Sequence, residues 1–129
     1  MRIYRIADRR HPIWDGTGAA LVGGRWNSPG RPAIYGALNY ACAMLETLAH
    51  AGIGRVPGTH QFVIAEVPDD NALIERHGPA SLPAGWDAED SRVARVFGDD
   101  WLASRRTVVL VVPSVVARLE YNAVINPAH

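Results

Sequence analysis

The sequence predicts an α+β domain, because strand-like and helix-like segments follow one another without regular alternation. Runs rich in β-branched and aromatic residues predict strands at 2–6, 61–67 and 107–112. Longer apolar-periodic segments predict helices at 38–50 and at 88–102, the second broken near Gly98. A doubly wound sheet needs strands and helices in turn, so this order favours α+β. With 129 residues, one domain spanning 1–129 is expected.

The remaining segments predict connections and short elements. Residues 7–31 are rich in glycine and proline and predict a long loop with at most one short strand at 20–22. Long loops in small domains are usually functional. Short strands are expected at 33–35 and, singly or as a pair, within 115–125. Residues 73–85 are turn-rich and are expected on the surface.

The helix predicted at 38–50 is the clearest element of the sequence. Gly52 and Gly54 predict its end. Apolar residues recur at helical spacing along one stripe, which is expected to face the core: Leu38, Ala41, Leu45, Leu48 and Ala49.

Charge and composition exclude several functions. The chain has 13 basic and 13 acidic residues, so a non-specific nucleic-acid binder with a large positive excess is disfavoured. All the basic residues are arginines, which excludes a Schiff-base lysine and a P-loop lysine. Arginine binds phosphate in a bidentate manner, so a diphosphate ligand remains easy to hold.

Cysteine and histidine usage disfavours a structural metal or disulfide. Cys42 is the single cysteine, and the five histidines show no metal-ligand spacing, so no metal site is expected. The first residues lack the apolar core of a signal peptide, and no apolar run is long enough to cross a bilayer. A cytoplasmic protein is the simplest expectation.

Glu46 is the most informative single residue. At about 100° per residue it lies beside Cys42 and Asn39, at the edge of the apolar stripe. A carboxylate there can border a cleft while its helix stays anchored. The alternative is a solvated helix glutamate.

Three residues that precede Glu46 in the sequence, Arg25, Trp26 and Tyr35, add to this pattern. Arg25 follows two glycines, which let the backbone approach a ligand, and it can bind a phosphate or a ribose; the alternative is a surface arginine. Trp26 is either a stacking face for a base or a core residue, and core is favoured. Tyr35 ends a short strand, where it can pack under a planar ring or be half buried.

These residues carry a resemblance to a known family. The ordered set closely resembles the RES domain, named for an arginine, a glutamate and a serine, over nearly the whole chain. The matching pieces are Gly23-Gly24-Arg25-Trp26-Asn27, Ile34-Tyr35, Leu45-Glu46, Val112-Pro113-Ser114 and Asn122-x-x-Ile125-Asn126-Pro127-x-His129.

The resemblance implies a fold and a set of site residues. The fold would be an ADP-ribosyltransferase-like α+β domain with two short, mostly antiparallel sheets around an NAD cleft. Arg25, Tyr35 and Glu46 would be catalytic. The family serine would fall on Ser114, with Ser28 and Ser104 as rivals. Residues implied to bind NAD are Arg5, Trp26, Asn27, Ser28 and Ser114.

The resemblance also implies an activity and a partner. RES domains are toxins of bacterial toxin–antitoxin pairs, and their antitoxins carry an Xre-type helix-turn-helix. Members degrade NAD at the nicotinamide–ribose bond, using water or inorganic phosphate as co-substrate, with no further cofactor; some relatives transfer ADP-ribose to a protein. A carboxylate such as Glu46 would stabilise the oxocarbenium-like ribose. Alternatives from other classes are a non-catalytic NAD-binding module and a DNA-binding or structural partner protein.

Overall fold

The computed structural model describes residues 1–51 and 57–129 and confirms the α+β class. Its elements follow the chain in this order: β1 (Arg2–Asp8), α1 (Thr17–Val22), β2 (Ile34–Ala37), α2 (Tyr40–Ala51), β3 (His60–Glu66), β4 (Ile74–Arg76), a 3-10 turn (Pro79–Ser81), α3 (Arg92–Ser104), β5 (Val109–Pro113) and β6 (Tyr121–Ile125). The predicted end of α2 at Gly52 and Gly54 lies outside the described residues.

The strands form one sheet in the order β3-β1-β2-β6-β5-β4, antiparallel except for the β4–β5 pair. The expected two sheets are therefore joined, through a single register pair, Tyr4 with Ala37. Gly36 explains how the join forms: a Cβ there would lie 2.6 Å from Ile3 Cγ2 and 2.9 Å from the Tyr4 carbonyl oxygen. A side chain at this position would push β1 and β2 apart.

The loop predicted at 7–31 contains a helix instead of a strand at 20–22. Asp15 accepts hydrogen bonds from the backbone N–H of Thr17 at 2.9 Å and from its hydroxyl at 2.6 Å, which favours a helical start. Helix α1 ends at Gly23, whose φ of 77° is a conformation that glycine adopts readily. Leu21 and Val22 are 74% and 69% exposed, so their apolar character did not mark a buried strand.

Helix α3 runs unbroken through Gly98, contrary to the predicted break. A Cβ at Gly98 would lie 1.8 Å from the Trp26 carbonyl oxygen. Glycine is therefore required because the helix packs directly on the backbone of the 23–28 loop, not because the helix stops. This contact fixes that loop against α3.

Two short segments differ from the sequence expectation. Strand β4 lies within 73–85, at the edge of the sheet, and its Ile74 is buried together with Leu82, so this segment is not wholly on the surface. Three residues are too few to show a strand period. Residues 115–125 contribute one strand, β6.

Helix α2 is rotated relative to the predicted apolar stripe. Cys42 and Ala43 are buried, whereas Leu45 is 43% exposed and Ala41 and Ala49 are exposed. The two small side chains let α2 lie close to β1, β2 and β6. One consequence is that Glu46, one turn after Cys42, lies on the inward side of the helix.

The main core lies between α3 and the sheet, and it includes three of the four tryptophans: Trp26, Trp86 and Trp101. Strand β5 is buried on both faces, as its unbroken apolar sequence predicts. Within residues 1–51 and 57–129, every helix is too short or too polar to cross a bilayer.

Candidate functional site

A cleft of about 980 Å³ opens between the 23–25 turn, strands β1 and β2, and helices α2 and α3. It brings together Arg5, Arg25, Tyr35 and Glu46, which are far apart in sequence and were predicted to share a site. Trp26 also borders it. The predicted residues Asn27, Ser28 and Ser114 do not line this cleft.

Glu46 is held by two side chains from behind. The Ser114 hydroxyl donates to Oε1 of Glu46 at 2.6 Å, and the Asn122 amide donates to the same oxygen at 2.9 Å. Among the described residues no hydrogen bond reaches Oε2. One carboxylate oxygen is thus fixed by the protein, and Glu46 itself lines the cleft.

Ser114 is a supporting residue in a turn. It is fully buried, and its hydroxyl oxygen accepts hydrogen bonds from the backbone N–H groups of Val116 at 3.2 Å and Ala117 at 2.9 Å. The hydroxyl proton is directed to Glu46. The sequence expected Ser114 to touch NAD, but the structure places it behind Glu46.

The two rival serines lie elsewhere. Ser28 donates its hydroxyl to Asp99 on α3 at 2.5 Å, and its backbone N–H donates to the same carboxylate at 2.9 Å. Ser104 donates to the Trp101 carbonyl at 2.7 Å, at the end of α3. Of the three serines, Ser114 alone contacts Glu46.

Tyr35 lines the cleft with its ring and ties the loop down with its hydroxyl. The hydroxyl donates to Oδ1 of Asn27 at 2.6 Å and accepts the backbone N–H of Trp26 at 3.0 Å. Burial raises the pKa of Tyr35 well above its ordinary value, so the phenol stays protonated and keeps donating. Gly24 is required beside it, because a Cβ there would lie 2.6 Å from the tyrosine hydroxyl.

Trp26 and Asn27 are structural where NAD contacts were expected. The Trp26 ring is 2% exposed, stacked on Trp86 with centroids 6.2 Å apart, and therefore is not a stacking face for a base. Asn27 is fully buried, and its amide donates to the carbonyls of Ala19 at 2.9 Å and Arg31 at 2.8 Å. Its hydrogen-bonding groups are consumed by the loop itself.

Arg5 and Arg25 are anchored through backbone carbonyls. Arg5 donates from Nε to Ile13 at 2.5 Å and from Nη1 to Tyr35 at 2.7 Å. Burial lowers the pKa of the Arg5 guanidinium and the Asp15 carboxylate raises it, and the group remains a cation. Arg25 donates from Nη1 to Ala88 at 2.8 Å and to Trp86 at 3.2 Å.

Sequence reasoning missed three residues of this site. Asn122 was quoted as part of a motif without a role, and it holds Glu46. Arg95 lines the cleft from α3 and donates from Nε to the Gly24 carbonyl at 2.8 Å. His60 lines it from β3, with its Nδ1 buried and without a hydrogen-bond partner among the described residues. The motif that contains Asn122 did not indicate its role, and Arg95 and His60 stand in no local pattern.

The sequence matches the RES domain family over residues 2–129. The chain belongs to the RES domain family. A protein described as a Prs ADP-ribosylating toxin, from Sphingobium sp. (strain YBL2), is 47% identical over 116 residues, which are 88% of this chain and 72% of that protein. A protein described as Toxin Res, from Yersinia enterocolitica, is 35% identical over 132 residues, covering all of this chain and 86% of that protein.

A solved structure is similar to the fold of this RES domain. The structure is described as the M. tuberculosis MbcT–MbcA toxin–antitoxin complex, and the matched chain superposes with a TM-score of 0.75. The match covers 96% of this chain and 72% of that chain, at 21% sequence identity. At this identity the likeness concerns the fold alone.

Proposed function

We propose that this RES domain cleaves the nicotinamide–ribose bond of NAD and is the toxin of a bacterial toxin–antitoxin pair. The observation that carries the proposal is Glu46, whose Oε1 is fixed by Ser114 and Asn122 while its other oxygen serves the cleft. Three arginines line the same cleft, which suits a ligand with two phosphates.

The chemistry follows from this placement. Nicotinamide leaves with the electron pair of the C–N bond, and positive charge develops on the ribose. The Glu46 carboxylate stabilises that charge and accepts a hydrogen bond from a ribose hydroxyl, as carboxylates do in glycoside cleavage. Water or inorganic phosphate then forms the new bond to the anomeric carbon, and the water loses a proton. No cofactor beyond the substrate NAD is needed.

Tyr35 and Arg25 have positioning roles in this proposal. The Tyr35 ring forms part of the cleft wall, against which the nicotinamide ring packs. Arg25 keeps Nη2 and Nε for a ribose or phosphate oxygen, because its described hydrogen bonds use Nη1. Arg5 supports the same wall through the carbonyl of Tyr35.

The proposed partner is an antitoxin with an Xre-like helix-turn-helix. Relatives that carry the name Toxin Res support the toxin role, and the structural relative is a toxin–antitoxin complex. Free NAD consumption would arrest growth, so a cell needs a protein that blocks the cleft. Expression of the wild-type chain alone should stop growth, and co-expression of the antitoxin should restore it. Normal growth with soluble, active wild-type chain would contradict this role.

A second candidate is ADP-ribosylation of a protein. It is favoured by the relative that is 47% identical and described as an ADP-ribosylating toxin. The same bond of NAD breaks in this reaction, and the difference lies in the nucleophile. An acceptor side chain would take the place of water or phosphate, so Glu46 would serve both reactions.

The test is NAD loss by purified chain, with and without phosphate, using NAD labelled in the adenosine half. Label in ADP-ribose indicates hydrolysis, label in ADP-ribose phosphate indicates phosphorolysis, and label on protein from an added lysate indicates transfer. Glu46→Gln should remove all three. If folded wild-type chain binds NAD without any product, a non-catalytic NAD-binding module replaces the proposal.

A further inference from the structure

Nine of the described arginines fall into two groups by the partners of their guanidinium groups. Six make salt bridges with carboxylates: Arg2, Arg10, Arg31, Arg76, Arg106 and Arg118. Three line the cleft, namely Arg5, Arg25 and Arg95, and within residues 1–51 and 57–129 none of these three forms a salt bridge with a carboxylate. Their described hydrogen bonds go to backbone carbonyls.

Arg95 has the geometry of a ligand-binding side chain. Its Nε donates to the Gly24 carbonyl at 2.8 Å, and a Cβ at Gly23 would lie 3.2 Å from its Nη2. The guanidinium therefore lies against the 23–24 turn, oriented by one hydrogen bond. Among the described residues no hydrogen bond uses Nη1 or Nη2, and these two groups form a donating fork.

Arg25 is part of the 23–25 turn. Arg25 follows Gly24 directly and is oriented by the carbonyls of Trp86 and Ala88, just before α3. Arg95 is held by Gly24 itself. Arg25, in the 23–25 turn, and Arg95, on α3, both line the cleft. Each guanidinium is held by backbone carbonyls, and among the described residues Arg25 bonds through Nη1 and Arg95 through Nε. A diphosphate carries two anionic groups that match two such cations.

From this geometry we infer that Arg95 is a second diphosphate-binding residue, which acts with Arg25 to hold the diphosphate of NAD at the 23–24 turn. The inference rests on the proposed function and adds a ligand contact from α3, outside the arginine, tyrosine, glutamate and serine that the sequence marks. Arg95 touches the substrate but not the bond that breaks. Its loss should therefore weaken binding more than it slows chemistry.

The experiment compares Arg95→Gln and Arg95→Lys with a matched control, Arg92→Gln. Arg92 is on the same helix, is exposed and lies outside the cleft. Two readouts are taken for each protein: KM and kcat for NAD, and Kd for ADP-ribose, which contains the diphosphate and needs no turnover. Nicotinamide riboside, which lacks the diphosphate, is measured as a second substrate.

Arg95→Gln should raise KM for NAD and Kd for ADP-ribose by about 10- to 100-fold, the usual weight of hydrogen bonds to a charged group. Its kcat should change by less than about 3-fold, and Arg95→Lys should recover part of the affinity because it keeps the charge. Turnover of nicotinamide riboside and all constants of Arg92→Gln should stay near wild type.

A purely structural role of Arg95 predicts a different result. Because Arg95 also holds the Gly24 carbonyl, a collapse of the turn would reduce kcat and would impair nicotinamide riboside as much as NAD. That outcome, or an unchanged Kd for ADP-ribose, overturns the inference. If the wild-type chain binds ADP-ribose but does not consume NAD, the proposed function is wrong, and the effect of Arg95→Gln on the Kd for ADP-ribose still tests the inference. Wild-type chain that neither binds ADP-ribose nor consumes NAD overturns both.

Discussion

The two walls of the cleft are built in different ways. In the 23–28 loop, most of the motif's side chains stabilise the loop itself. Trp26 is buried in the core, Asn27 donates hydrogen bonds to backbone carbonyls and Ser28 donates to Asp99. Around Glu46, the supporting side chains are distant in sequence, Ser114 from the turn after β5 and Asn122 from β6, and both hold the same carboxylate oxygen. A motif can therefore be conspicuous because its side chains fold one wall of the cleft.

This comparison predicts that substitutions at Glu46 and its supporting residues mainly lower the rate of NAD turnover. Substitutions in the 23–28 loop should mainly lower the free energy of unfolding. Glu46→Gln gives the largest expected effect: turnover of NAD should fall by at least about 100-fold, the scale of losing a charge-stabilising group. The glutamine oxygen can still accept from Ser114 and Asn122, so the melting temperature should stay close to wild type. The measurement is product formation alongside thermal unfolding, with Glu89→Gln, an exposed glutamate, as control. Retained turnover in a folded Glu46→Gln protein would remove Glu46 from the chemistry.

Asn27→Ala should show the opposite pattern. The change leaves the carbonyls of Ala19 and Arg31 and the hydroxyl of Tyr35 without their buried partner. The free energy of unfolding should fall by about 3 kcal/mol, the sum of unmet buried hydrogen bonds and a cavity. Chemical denaturation measures it, and Asn71→Ala at an exposed position is the matched control. A stable Asn27→Ala protein with impaired NAD binding would instead make Asn27 a ligand residue.

Ser114→Ala and Asn122→Ala should each lower kcat by about 10-fold, a typical cost of losing one hydrogen bond to a charged group. KM should change little, because both side chains donate to Oε1 of Glu46 and act by orienting that carboxylate. Both donate to Oε1, so the double variant should lose less than the product of the two single effects. Independent, multiplicative losses in kcat would show that the two residues do not act through Glu46.

The smallest expected effect concerns Cys42, one turn before Glu46 on α2. Burial, together with the negative charge of Glu46, raises the pKa of this thiol. Since the thiolate is the reactive form, alkylation by iodoacetamide near pH 8 should be much slower in native than in unfolded protein, with NAD turnover unaffected by brief exposure. Rapid native labelling would mean that α2 opens away from the sheet.

Much of the fold was predictable from local patterns. Strands β1, β3 and β5 and helix α2 follow from β-branched runs and helical spacing. Helix α1 was not predicted. Asp15, which lies outside the helix, accepts hydrogen bonds from its first residue, Thr17. Gly98 was interpreted as a helix break because glycine is a poor helix former. In the structure, glycine lets α3 pack on the Trp26 backbone, a contact that no local pattern encodes.

The candidate site was predictable in part, and for a physical reason. Glu46 was placed at the edge of a stripe that itself was assigned to the wrong face, since Cys42 and Ala43 are small enough to bring α2 against the sheet. Arg95 carries no local signature, and the motif that contains Asn122 did not indicate its contact with Glu46. Their roles arise when α3 and β6 pack beside the loop and helix that the sequence had marked.

The sequence by itself determined the α+β class, the family and the three groups Arg25, Tyr35 and Glu46 that share the cleft. Tertiary structure alone decided how Glu46 is held in the cleft, because that depends on hydrogen bonds between residues 68 and 76 positions apart along the chain. Residue type fixes the chemistry that is possible, whereas packing fixes which oxygen or guanidinium remains available for it.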